Sequence, residues 1–391
     1  MLINLWYVAE WSDTVKEKPV KVKMLGRYFV LYRDKSGQVH CLSDVCLHRG
    51  GSLGNGWCTE TNRVACPYHG WEFGGDGRVE HIPSLGDGAD IPERARIDAY
   101  PTQEAYGMVW VFLGDLPESE RYPIPPLPEY GDSNWRMITT ETMWKAEAAR
   151  VVENGIDIAH ASYVHPSFGK PETAASNFIE NVERHEYWSK SDNVMYPPKF
   201  KDNWFRRRIR GEGQETYQHL TTWLPGFTIR MQVDLNEKMH IIMFDANTPV
   251  DEFETRTFML QFRDFFKHPF FDKGSLKRLQ RIAEEDLAIV EAASPNYLPD
   301  TLANEFSVKQ DRFMGTWRSL RRRHIEEKGW QIDTWAMQPH HGKKVFCIPS
   351  PQRRAHDEMD WVLEPVPLVD PLRPAAGDSP GLKSAEAGQP G

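Results

Sequence analysis

Up to about residue 116 the apolar positions come in short runs closed by turn residues. Arg27-Tyr28-Phe29-Val30-Leu31-Tyr32-Arg33 alternates and then turns at Asp34-Lys35-Ser36-Gly37, and Met108 to Leu113 is unbroken apolar sequence between Gly107 and Gly114. Runs bounded this way predict strands, and Gly74-Gly75-Asp76-Gly77 predicts another tight turn. Four prolines between Pro123 and Pro128 stiffen a boundary. Beyond it the period changes. Met143 to Ala161 predicts a helix; Tyr217–Trp223, Thr228–Val233, Lys238–Thr248 and Glu254–Phe265 predict four consecutive strands, hence an antiparallel sheet. Helices are predicted over Ser275–Ala293, rich in Leu, Ala, Glu and Lys, and over Leu302–Lys328. Periodicity fades from Glu364 onwards, where Pro, Ala, Gly and Asp predict a disordered tail. The expected organisation is an α+β chain: an all-β unit over 1–122, a Pro-rich linker over 123–135, a larger domain over 136–363 and a tail over 364–391.

Composition narrows the class. With 40% hydrophobic and 26% charged residues, 14 Trp, 19 Phe and 13 Tyr, the chain has ample material for a core and an apolar pocket. A net charge of −9 argues against general nucleic-acid binding. No run reaches the ~18 apolar residues of a membrane span, and Met1 to Trp6 lacks a basic, signal-like start. A cytoplasmic protein is the expectation. Of the five Cys, Cys41, Cys58 and Cys347 form an odd set unlike a disulfide framework, read as buried small apolar side chains in a reducing compartment.

The chemistry sits in two constellations. Cys46-x-His48 and Cys66-x-x-His69 are separated by seventeen residues. Two thiolates and two imidazoles in mixed pairs fit a two-iron, two-sulfide cluster with Cys on one iron and His on the other. The alternative, a zinc site, more often pairs like with like. The second constellation is Asn154-x-x-Asp157-x-x-His160-x-x-x-x-His165, ending at Pro166. Two His near a helix end can face one metal, and a carboxylate would complete the two-His, one-carboxylate triad of non-haem iron. Asp286 shares a helix face with Ile282, Ile289 and Val290, and an ionised Asp on an apolar stripe is costly unless paired or metal-bound. Glu285 and Glu291 fall off that stripe and read as solvated.

Cys46-Leu47-His48-Arg49-Gly50, Cys66-Pro67-Tyr68-His69-Gly70-Trp71, the Asn154–His165 segment and Glu285-Asp286…Glu291 together resemble the α-subunit of Rieske non-haem iron oxygenases, from about Trp6 to about residue 330. No further Cys flanks the brackets, unlike respiratory Rieske proteins. The resemblance implies a Rieske [2Fe–2S] domain followed by a helix-grip (START-like) catalytic domain. It implies the cluster on Cys46, His48, Cys66 and His69, and iron(II) on His160, His165 and Asp286. Asp157 would bridge a cluster His69 and an iron His160 across subunits of a homotrimer, with Asn154 near the iron. Electrons would come from NAD(P)H through a ferredoxin or flavin reductase, since no nucleotide fingerprint is present.

O₂ and a small hydrophobic, aromatic or polycyclic compound would be the substrates. Leu5-Trp6-Tyr7-Val8-Ala9 is similar to the monooxygenase and O-demethylase branch, so hydroxylation or oxidative demethylation is expected, with ring cis-dihydroxylation as the alternative. A pure electron carrier would leave His160, His165 and Asp286 unexplained. Phe227, Met231, Met243 and Phe258 are the candidates to line the pocket, with plain core as the favoured reading of each. Arg206-Arg207-Arg208 with Arg210, and Arg318 with Arg321-Arg322-Arg323, read as solvated faces, with docking of an acidic donor as the alternative.

Overall fold

The computed structural model describes residues 1–165, 171–196, 215–299 and 304–372. Short strands build the N-terminal unit. Val20–Met24, Arg27–Arg33, Val39–Ser43 and Ala99–Tyr100 form one antiparallel sheet; Trp57–Cys58, Val64–Ala65, Glu72–Phe73 and Val79–His81 form a second. Val30, Tyr32, Leu42, Leu53, Val64, Phe73 and Val79 fill the small core between them, beside Cys46 and Cys66. Leu5–Trp11, Met108–Leu113 and Thr102–Ala105 make a third sheet.

That third sheet does not belong to a separate core. Trp11 packs edge-on to Phe258 with ring centres 5.3 Å apart, and Tyr106 meets Phe244 at 5.8 Å. Thr248 donates a hydrogen bond to the carbonyl of Val8 at 2.7 Å. The largest apolar cluster therefore runs from Leu2 through Phe112 to Phe258 and Trp317.

The second unit is built on a seven-stranded antiparallel sheet. Numbered within it, the strands are β1 (Arg136–Trp144), β2 (Phe178–Arg184), β3 (Trp188–Met195), β4 (Thr216–Trp223), β5 (Thr228–Asn236), β6 (Met239–Pro249) and β7 (Thr255–Arg263), in spatial order β1-β7-β6-β5-β4-β3-β2. The four apolar runs became β4 to β7. The other three strands escaped the sequence pattern because they are largely polar: Thr139, Thr140, Glu141 and Thr142 in β1, and Ser189, Ser191 and Asn193 in β3. Among the described residues, three helices pack on the sheet: α1 (Ala148–Ile156), α2 (Asp272–Val290) and α3 (Arg312–Lys328).

Several expectations are corrected. The helix expected over 143–161 is shorter, because Met143 and Trp144 pair with Arg256 and Thr255 as the end of a strand. The chain breaks again at Asp157, whose backbone is extended. The helix expected over 302–328 is found at Arg312–Lys328, with residues 302 and 303 outside the described ones. The tail expected from 364 does not begin there: Glu364–Pro365 pairs with Phe346–Cys347, and Val366 is buried. The segment after 330, expected in the larger domain, returns to the N-terminal unit. Ile3 N–H donates to Trp330 at 2.8 Å, and buried Asp98 accepts from the Arg353 guanidinium at 2.7 Å. Cys41 and Cys347 are buried and Cys58 partly so. Among the described residues, no helix is long and apolar enough to cross a membrane.

Candidate metal centres

The two brackets lie on matching turns at one end of the N-terminal unit. Gly50 N–H donates to the Cys46 carbonyl at 2.8 Å, and Gly70 N–H to the Cys66 carbonyl at 2.9 Å. Both glycines sit at positive φ, +72° and +70°, where a side chain would be strained. The result is a convergent set. Cys46 and Cys66 are buried and unbridged, and the rings of His48 and His69 lie 4.5 Å apart. His48 stacks on Trp71 at 4.6 Å, and its Nδ1 is buried with no hydrogen-bond partner. Gly51 keeps the interior open, since a Cβ there would fall 2.8 Å from Cys66 Sγ.

Burial pushes the Cys46 thiol up to about 12, with Cys66 adding to the rise against the N–H groups of His48 and Arg49. A bound cation reverses that balance and favours the thiolate. Orphaned imidazole nitrogen, buried unbridged thiols and an open interior together fit a metal cluster. His69 is exposed, so this edge faces outward.

The second centre forms where α1 ends. Asp157 follows it, and His160 and His165 flank the short helix Ala161–Val164. Asp286 comes from α2, where it is only 8% exposed. Ligand atoms of His160, His165 and Asp286 all lie within 4.8 Å of one another. Asp286 Oδ1 is 3.5 Å from His160 Nε2 and 3.2 Å from His165 Nε2, yet makes no well-formed hydrogen bond.

The outer nitrogens face carboxylates too. His165 Nδ1 is 2.8 Å from Glu285 Oε2, and His160 Nδ1 is 3.7 Å from Asp157 Oδ2. Each imidazole thus points Nε2 at a common centre and Nδ1 at a carboxylate, the arrangement that fixes the orientation and basicity of a metal-bound His. Burial works against a charge on His165, but Asp286 and Glu285 outweigh it and hold its pKa above the ordinary value. Burial likewise opposes ionisation of Asp157, but His160 and the N–H of Ala159, which donates at 2.7 Å, bring its pKa below the usual range. Asn154 lies one turn earlier, its carbonyl 3.4 Å from Asp157 N–H.

Cys46, His48, Cys66 and His69 come together at the first centre, and Asp157, His160, His165 and Asp286 at the second, with Asn154 one turn before Asp157. Glu285 falls at the second centre too, although it read as solvated; a helix face cannot show that a His from another element will cross above it. Ile289, expected on the buried stripe, is 55% exposed.

The pocket expectations divide. Met231 and Met243 pair directly across β5 and β6. Phe258 points to the opposite face, against Trp11, and Phe227 packs on Trp317 and Tyr7 as core. The cluster of Arg318 with Arg321–Arg323 is no free patch. Arg318 is buried, paired to Glu153 and Glu305, while Arg321 meets Glu147 and Arg323 meets Glu327. The Arg206–Arg210 cluster lies outside the described residues.

Comparison with known proteins adds a second line. A family model described as Rieske [2Fe-2S] domain matches residues 5–101, and one described as Vanillate O-demethylase oxygenase C-terminal domain matches residues 144–327. The 4beta-methylsterol monooxygenase of Methylococcus capsulatus is 36% identical over 165 residues, 41% of this chain and 44% of its own. The chlorophyllide a oxygenase of Chlamydomonas reinhardtii is 30% identical over 301 residues, 74% of this chain and 43% of its own. The chain spans about half the length of the curated relatives it matches. Among solved structures, the caffeine-bound NdmA of Pseudomonas putida CBB5 is similar in fold, with a TM-score of 0.69 at 24% identity, covering 81% of this chain and 89% of that one.

Proposed function

The chain belongs to the Rieske oxygenases, and on that premise we propose that it is a terminal oxygenase component that hydroxylates or oxidatively demethylates a hydrophobic substrate. The observation that carries this reading is the shared aim of His160 and His165 at the buried, orphaned oxygen of Asp286. These three residues hold a mononuclear iron, and Cys46, Cys66, His48 and His69 hold the [2Fe–2S] cluster. When bound, the two groups supply the electrons and open coordination positions for reducing dioxygen beside a substrate. Glu285 keeps His165 oriented, and Asp157 does the same for His160. The electrons come from NAD(P)H through a reductase or ferredoxin, and the protein works in the cytoplasm.

The working unit in this reading is a homotrimer. Asp157 and His69 share no hydrogen bond within one chain, and His69 is exposed. Asp157 then meets the partner subunit's His69 and couples the two centres across the interface. One-atom insertion is favoured over ring cis-dihydroxylation because relatives at 30% identity or above are named as monooxygenases, demethylases and chlorophyllide oxygenases.

The test has two parts. Iron analysis should find a mononuclear iron in addition to the cluster's pair; the pair alone would support an electron carrier instead. The chemically reduced protein is then exposed to O₂ with a panel of methoxyarenes, arenes and polycycles while cluster absorbance is followed. Rapid cluster oxidation only with particular compounds is expected, and labelled O₂ would then separate one-atom from two-atom insertion.

A further inference from the structure

Asp245, in the middle of β6, was not singled out by any sequence pattern. It pairs directly with Ile229 on β5 and with Met259 on β7, so the three side chains share one face of the sheet. That face is the one under the metal-bearing helices: Ile229 Cδ1 comes so close to α1 that a Cβ on Gly155 would fall 2.6 Å from it. Met231 and Met243 occupy the next row along the same face. Asp245 thus has hydrocarbon and thioether as its direct cross-strand neighbours, with amides further out on the same face: Gln261 opposite Met243, and Gln218, which donates to Met231 Sδ at 3.1 Å. One carboxylate oxygen is buried with no hydrogen-bond partner, and no Lys, Arg or His pairs with it among the described residues. Burial, reinforced by the nearby charge of Asp286, pushes its pKa up to about 7.

A buried carboxylate oxygen without a partner in the protein calls for a polar group from outside the chain. Metal ligation does not answer that call, because Asp245 is outside the set whose ligand atoms lie within 4.8 Å of one another. We propose that Asp245 determines specificity by accepting a hydrogen bond from a hydroxyl group of an otherwise apolar substrate. This rests on the oxygenase reading above. A hydroxyl suits the position better than other polar groups. It pairs with the carboxyl in either protonation state, whereas a carbonyl serves only the protonated acid and a cation only the ionised one. The methionines accept the rest of the molecule, since thioether side chains adapt to varied apolar shapes. The anchored hydroxyl then fixes which carbon lies beside the iron site, as positioning requires.

The experiment is calorimetric titration of the reduced, iron-loaded protein without O₂. The ligands are hydroxylated one-ring, two-ring and four-ring compounds, each with its deoxy partner. The wild type should bind at least one hydroxylated member roughly 10- to 100-fold more tightly than its partner, the ratio for leaving a buried acceptor unpaired. Asp245→Leu should bring that ratio close to one, with cluster absorbance and iron content unchanged. Asp245→Asn retains an acceptor oxygen and should keep part of the preference; if the Leu variant loses iron, a ratio undiminished in Asp245→Asn counts against the contact.

The proposal is overturned if no hydroxylated compound binds, if the wild type shows no preference, or if Asp245→Leu keeps it. Failure of the oxygenase reading is a separate result: a compound that binds through Asp245 but does not trigger cluster oxidation when O₂ is admitted.

Discussion

Glu285 Oε2 lies 2.8 Å from His165 Nδ1, while the other nitrogen of the same ring faces Asp286 from the next position on α2. Two consecutive acids on one helix therefore grip one imidazole from both sides. Glu285→Ala should lower iron affinity about 10- to 100-fold, the usual cost of removing such a partner. Titration of iron into the apo-site checks this, with cluster absorbance as the control. Unchanged affinity would reduce Glu285 to a surface acid.

Asp157 holds a similar place toward His160, and its oxygen also accepts from Ala159 N–H. Asp157→Asn keeps the size of the side chain and removes its charge. The variant should retain both metals and largely lose substrate-triggered cluster oxidation in a single turnover. Rapid oxidation by that variant would contradict the coupling role.

Gly51 tests the cluster site by shape. Because a Cβ would fall 2.8 Å from Cys66 Sγ, Gly51→Ala should reduce cluster occupancy. The visible absorbance per chain would report it, and normal iron binding at His160 would show that the second unit still folds. Full cluster content in Gly51→Ala would mean that the Cys66 turn gives way.

Asp272 opens α2, the helix that carries Asp286, and ties it to the sheet through Arg136 on β1 and Arg263 on β7. The hydrogen bond from Arg136, foremost among its partners, lowers its pKa to about 2. The depressed folded-state value means that this stabilisation is complete above about pH 4 and is lost as the pH falls toward 2. Asp272→Asn should therefore unfold more readily than wild type at neutral pH, and the difference should shrink through that acid window. Urea denaturation at several pH values reads it, and a pH-independent difference would exclude the ion pairs as the cause.

Much of this was legible along the chain. The Cys-x-His and Cys-x-x-His brackets declare themselves because cluster ligands from one turn must lie a few residues apart. His160 and His165 are visible for the same reason, and Asp286 because an acid in line with Ile282 and Val290 is costly unless paired or metal-bound. The alternating apolar strands β4 to β7 follow from one buried face.

The tertiary structure decided the rest. Polar strand β3 exists because its hydroxyls and amides pair inside the sheet, as Ser189 does with Thr222 at 2.8 Å, while β1 is held by its backbone register with β7; no local hydrophobic period reports either. Arg318 turned inward because Glu153 and Glu305 wait there, more than ten residues away in sequence. Glu285 and Asp245 acquire meaning only from what crosses above them. Sequence sets which groups can bind a metal when neighbours supply the ligands; burial and distance through space set which carboxylates stand behind those ligands or alone in the sheet, and these depend on contacts between distant segments.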